Sequence, residues 1–137
     1  MVREIVTDAF QLRQKAALAT EADLAVVRDL IDTLTANRHR CVGMAANMIG
    51  VNKRIIVVDF MGIPVAMINP IIVKRSKETY ETQEGCLSLS GTRATLRYQS
   101  IDVEFLDTGF QTCRQTYSGW VAQIIQHEID HCEGILI

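Results

Sequence analysis

His127 and His131 stand four residues apart in Gln126-His127-Glu128-Ile129-Asp130-His131, an H-E-x-x-H pattern near the end of the chain. On a helix, residues i and i+4 share a face, so both imidazoles can reach one metal ion. Glu128 projects near the same ion, where it can hold or protonate a water molecule, the set of groups that metal-assisted hydrolysis requires. Trp120 and Ile124 fall on the histidine face, with Ile125 and Ile129 flanking it. The pattern therefore predicts a helix that starts after Ser118-Gly119, stops at Gly134, and carries its histidines into the core. Two imidazoles and a carboxylate buried together are costly without an ion to organise them.

H-E-x-x-H also arises by chance, as two helix histidines that happen to fall four apart. Cys86, in Glu84-Gly85-Cys86-Leu87-Ser88, argues against chance here. Catalytic sites commonly use three protein ligands and leave one position open. A thiolate with two imidazoles suits Zn²⁺, Fe²⁺, Co²⁺ or Ni²⁺. Cys132 follows His131 directly, so it is turned about 100° away on the helix and is read as a packing residue. Cys113 has no evident partner. Asp130 either orients an imidazole or faces solvent. Four cysteines without secretory context read as reduced thiols.

Apolar residues make up 48% of the 137 and the formal net charge is −2, so no basic surface points to nucleic acid. No apolar run approaches membrane-spanning length, and the first residues lack an apolar signal core, which predicts a cytoplasmic protein. Residues 1–137 contain no repeat or linker and read as a single domain. Leu24, Val27, Ile31 and Leu34 recur at helical spacing over residues 21–37, with Thr20 as N-cap. Residues 54–58, 65–68 and 71–73 read as short strands, the last two separated by Asn69-Pro70. Ile101, Val103 and Phe105 alternate with acidic residues as on a half-buried strand. Asp107-Thr108-Gly109 turns that strand back into residues 110–116. The expected class is α+β: mostly antiparallel sheets, an N-terminal helix and a C-terminal metal-binding H-E-x-x-H helix.

Three segments in order resemble the peptide deformylase family. Its Gly-rich stretch of form G-x-G-[LM]-A-A-x-Q is matched by Cys41-Val42-Gly43-Met44-Ala45-Ala46-Asn47-Met48, and its E-G-C-L-S and Q-H-E-x-D-H motifs are intact. The resemblance runs from the helix at residue 21 to Leu136. It implies that Cys86, His127 and His131 bind one divalent ion, Fe²⁺ first, with Zn²⁺ or Ni²⁺ as alternatives. Glu128 would take a proton from the attacking water and deliver it to the departing amine of an N-formylated nascent peptide. The Leu87 backbone N–H would help to hold the oxyanion. Val42, Gly43, Met44 and Glu84 would contact substrate or brace the loop around it, with Arg93 as the partner of Glu84. Gly43 would let the substrate backbone approach closely.

The first motif departs where it matters. Met48 replaces the glutamine that donates to the oxyanion, and a thioether has no donor. Asn47 could substitute only if the loop shifted by one residue, because neighbours on an extended segment point to opposite sides. Cys41 adds a side chain where the motif has its first glycine. One lost oxyanion donor costs roughly 10²–10³ in rate, so the expectation is deformylation at reduced efficiency. The alternative is a paralogue that holds metal but acts on another amide or is noncatalytic. Trp120 is expected as a core anchor; placed in the pocket, it would favour a smaller first residue.

Overall fold

A computed structural model describes residues 1–136. Seven strands form two antiparallel sheets. The larger contains β1 (Gly43–Ala45), β2 (Ile55–Phe60), β3 (Ile63–Arg75), β6 (Ser100–Leu106) and β7 (Thr112–Ser118), in the order β1-β2-β3-β6-β7. The smaller is the hairpin of β4 (Thr79–Cys86) and β5 (Leu89–Tyr98). Three helices accompany them: α1 (Ala9–Leu12), α2 (Leu24–Ala36) and α3 (Gly119–Cys132). The α+β class and the C-terminal histidine helix are as the sequence predicts. Neither α1 nor the β4–β5 hairpin was anticipated.

Around β2 the large sheet is covered on both faces. Ile55 and Val57 join a core with Leu30 and Leu34 of α2, whereas Ile56 and Val58 join a second core with Ile125 and Ile129 of α3. A strand buried on both faces reads as an unbroken apolar run, which is why residues 55–58 show no alternation. At β6 one face only is covered: Ile101, Val103 and Phe105 are buried and the acidic residues between them are not.

Thr20 caps a short turn ahead of the first long helix, whose own N-cap, Asp23, makes no side-chain cap bond. A 3₁₀ turn at Glu21–Asp23 precedes α2, and a capping box joins Thr20 and Asp23. The break expected at Asn69-Pro70 is instead a bulge within one continuous strand, β3, with a register shift between Ile68 and Ile71. Asn69 has φ 52°, and its side-chain amide pairs with the Ala19 backbone at both N and O (2.8 and 3.0 Å). That pairing holds the strand where Pro70 can donate no ladder hydrogen bond.

After α3 the chain turns at Gly134 (φ 76°), where an added Cβ would lie 2.3 Å from the Arg13 carbonyl oxygen. This close approach packs the end of the histidine helix against the N-terminal segment. No helix among the described residues is long and apolar enough to cross a membrane.

Candidate metal centre and its cleft

Three elements converge on the histidines. Helix α3 brings His127, Glu128 and His131, all buried, and the end of β4 brings Glu84, Gly85 and Cys86. From the opposite side come β1 and a 3₁₀ turn at Ala46–Ile49. Between them lies a cleft of about 600 Å³, lined by Val42, Gly43, Met48, Glu84, Cys86, Leu87, His127 and Glu128 among others.

Cys86 Sγ lies 3.4 Å from His131 Nε2, which lies 3.1 Å from His127 Nε2. Among the described residues these three form the group of donor atoms placed to share an ion, all within 4.8 Å of one another. An ion bound tetrahedrally at ordinary Zn–N and Zn–S lengths separates its donors by roughly 3.3–3.6 Å, so the observed spacings fit. Two facing imidazole nitrogens can share only one proton between them, whereas an ion satisfies both. His131 Nδ1 and Glu128 Oε1 are buried without a partner, further marks of a site built for more than its own side chains.

The orientation of His127 is fixed from behind. Its Nδ1 bonds Glu84 Oε1 at 2.8 Å, which leaves Nε2 for the ion. Arg97 grips both Glu84 oxygens, at 2.9 and 2.6 Å, and reaches Asp130 at 2.6 Å. The expected partner, Arg93, is not the one used. Arg93 sits directly across the hairpin from Glu84, but Arg97, four residues further along the same face, takes the carboxylate. Asp130 anchors Arg97, a selection visible only once α3 packs over β5. Asp130 thus neither touches an imidazole nor simply faces water; it acts through Arg97 and Glu84.

The buried charges fit a cation. Burial works against charge on His127, but Glu128, Cys86 and Glu84 together outweigh it and raise this imidazole to about 10. Burial and the neighbouring His127 charge lower His131 to about 3. Burial lifts Glu128 to about 7, within reach of both proton acceptance and donation near neutral pH. Glu84 is opposed by burial too, yet the hydrogen bonds from Arg97 and His127 bring it down to about 2. The pocket thus draws one positive charge between its imidazoles, which a metal ion supplies with both rings neutral.

Gly43 is required by packing. A Cβ there would stand 2.7 Å from the Ile124 side chain and 2.8 Å from Glu128 Oε2, so glycine lets α3 press Glu128 against β1. Met44 is fully buried in the core and is not part of the cleft wall. Met48 is in the wall. Asn47 turns away from it, its Nδ2 donating to the His131 carbonyl at 3.0 Å. The segment is a 3₁₀ turn and not extended, but its side chains still diverge, and the loop has not shifted to offer Asn47 in place of Met48. The Cys41 thiol donates to the Gly43 carbonyl at 2.9 Å, and burial pushes it up to about 12.

Trp120 is not a core anchor: it is 62% exposed and lines the cleft. Cys132 is buried packing, as expected. Cys113 makes only long contacts, 3.6 Å to the Gln111 carbonyl and 3.9 Å to Asp107. Sequence reasoning passed over Arg40, Thr82 and Gln83 as cleft residues, and Tyr80, whose hydroxyl donates to Gln123 Oε1 at 2.9 Å. Only the alternation of β4 could have pointed to Tyr80, Thr82 and Glu84 as one face.

A model of the polypeptide deformylase family matches residues 2–137. The chain belongs to the peptide deformylase family. It is 54% identical to a peptide deformylase of Clostridium beijerinckii over all of both chains. Among solved structures, a peptide deformylase of Ehrlichia chaffeensis superposes with a TM-score of 0.88 at 34% identity, covering 99% of this chain and 86% of that one. A class I type b deformylase of Acinetobacter baumannii with Met-Ala-Ser bound gives 0.88 at 26% identity, covering 99% and 97%. The family comprises metal-dependent amide hydrolases, and the cysteine and two histidines described above form a possible site for its single metal.

Proposed function

We propose that residues 1–137 act as one catalytic domain that removes the formyl group from N-formylmethionyl peptides in the cytoplasm. Cys86, His127 and His131 would hold one divalent ion, Fe²⁺ first, with Zn²⁺ or Ni²⁺ also suited to the donor set. One observation carries this reading: Cys86 Sγ and the two Nε2 atoms converge beside a buried carboxylate on the wall of an open cleft. When bound, the ion supplies Lewis acidity toward the formyl oxygen and the attacking water. Glu128 accepts the proton that water gives up and returns it to the departing amine, so the formyl C–N bond breaks into formate and a free N-terminus. The Leu87 backbone N–H, next to Cys86 on the cleft wall, donates to the oxyanion. Val42 and Gly43 shape the opposing side, while Glu84, on the same strand as Cys86, braces His127. The Met-Ala-Ser peptide in the Acinetobacter baumannii relative supports a cleft that seats a short peptide.

Met48 favours a second reading, in which the metal site persists and deformylation does not. Formate release from formyl-Met peptides by protein purified without oxygen separates the two. About one ion per chain, lost in His127→Ala, together with slow release that falls by roughly 10²–10⁴ in Glu128→Gln, supports the hydrolase. A full complement of metal with no release supports the paralogue. Protein that stays metal-free under added Fe²⁺, Ni²⁺ and Zn²⁺ sinks both.

A further inference from the structure

The cleft carries a cation that the chemistry above leaves unused. Arg40, on the turn leading from α2 towards β1, is the one lysine or arginine on the cleft wall among the described residues. Its Nε and Nη2 donate to Asn37 Oδ1, at 3.3 and 3.0 Å. Asn37 is buried and itself fixed, its Nδ2 donating to the Thr33 carbonyl at 2.8 Å. The guanidinium is therefore oriented by a neutral oxygen, and among the described residues no carboxylate pairs with it. Arg97 takes Glu84 and Asp130, Arg54 takes Glu133, Arg3 takes Asp29 and Arg114 takes Asp102, whereas the other arginines without a carboxylate among the described residues, Arg13, Arg28, Arg38, Arg75 and Arg93, do not line the cleft. An arginine held in place with open donors is suited to a carboxylate from elsewhere.

Gly43, pressed against Glu128, marks the reacting end of the cleft. Arg40 lies three residues before it, and three residues of chain span at most about 10 Å. An extended peptide laid along this wall with its formyl end at Glu128 brings its second or third residue to Arg40. We propose that Arg40 is a specificity-determining residue, an anion subsite at the outer end of the cleft that favours formylated peptides with aspartate or glutamate at the second or third position. This rests on the deformylase reading of the site.

The test uses metal-loaded protein and two C-terminally amidated peptides, formyl-Met-Ala-Asp and formyl-Met-Ala-Lys. The aspartate peptide is expected to have the higher kcat/KM by roughly two- to five-fold, the size of a partly exposed ion pair. The difference should lie in KM and fade towards about 1 M salt, where charges are screened within roughly 3 Å. Arg40→Gln should erase the preference and Arg40→Lys should keep part of it. An equal preference in wild type and Arg40→Gln overturns the proposal. If neither peptide releases formate, the deformylase reading has failed, and the fluorescence of Trp120 in the same cleft then reports binding. Tighter binding of the aspartate peptide that is lost in Arg40→Gln upholds the subsite, whereas equal binding, or none, overturns it.

Discussion

On the α3 and β4 side of the cleft, His127 is held by Glu84, Glu84 by Arg97, and Arg97 by Asp130. On the β1 side, Met48 offers a thioether, Asn47 is turned to the His131 carbonyl, and Cys41 spends its thiol on Gly43. The first wall fixes the orientation of an imidazole through charged, buried partners, and such chains are costly to leave incomplete. The second has no side-chain amide at the position where the family's glutamine donates. Holding an ion and offering a side-chain amide to the oxyanion are thus separable, since the first draws on α3 and β4 and the second on the turn after β1. Loss of the second leaves the first structurally intact.

The sharpest way to break the orienting wall is Arg97→Ala. It strands Glu84 as a buried carboxylate, and removing one partner of a buried pair costs about 3–5 kcal/mol. Urea denaturation of wild type and variant measures it, and a loss below about 1 kcal/mol would mean that the chain of partners carries little of the fold. The effect has a pH signature. With its folded pKa at about 2 against the ordinary carboxylate value of 4.5, Glu84 contributes stability that is fully present above 4.5 and lost as pH falls towards 2. Removing Arg97 takes away the main group holding that pKa down, so acid unfolding should shift to higher pH.

On the other wall, Met48→Gln restores a donor. Deformylation should rise by up to roughly 10²–10³, in kcat more than in KM, because the gain belongs to the transition state. An unchanged rate would show that the missing amide is not what limits the enzyme. The smallest effect is expected from Arg93→Ala, which leaves Glu84 with its actual partner; a stability change within about 0.5 kcal/mol is predicted by the same denaturation assay.

Much of the site was legible because it is written in short-range spacing. The i and i+4 histidines, the intervening Glu128, and the 102/104 against 101/103/105 alternation need only helix and strand periodicity. The β4–β5 hairpin escaped because its strands are polar and half-exposed, with little apolar contrast to read. Arg93 was expected from motif position, yet Arg97 has the same parity on β5, and only contact with Asp130 on α3 separates them. Trp120 looked like core because its helical phase matches His127 and His131, but phase does not say where the core ends along the helix.

The sequence by itself determined the donor set of one cysteine and two histidines, the carboxylate beside it, and the absence of a glutamine at position 48. These are properties of residue identity and local period, so no packing can alter them. The tertiary structure decided which arginine braces Glu84, that Asn47 does not replace the missing amide, that Gly43 makes room for Glu128, and that Arg40 stands at the cleft bonded to Asn37 and, among the described residues, to no carboxylate. Each depends on contacts between elements far apart in the chain, where several side chains compete for one partner and geometry selects among them.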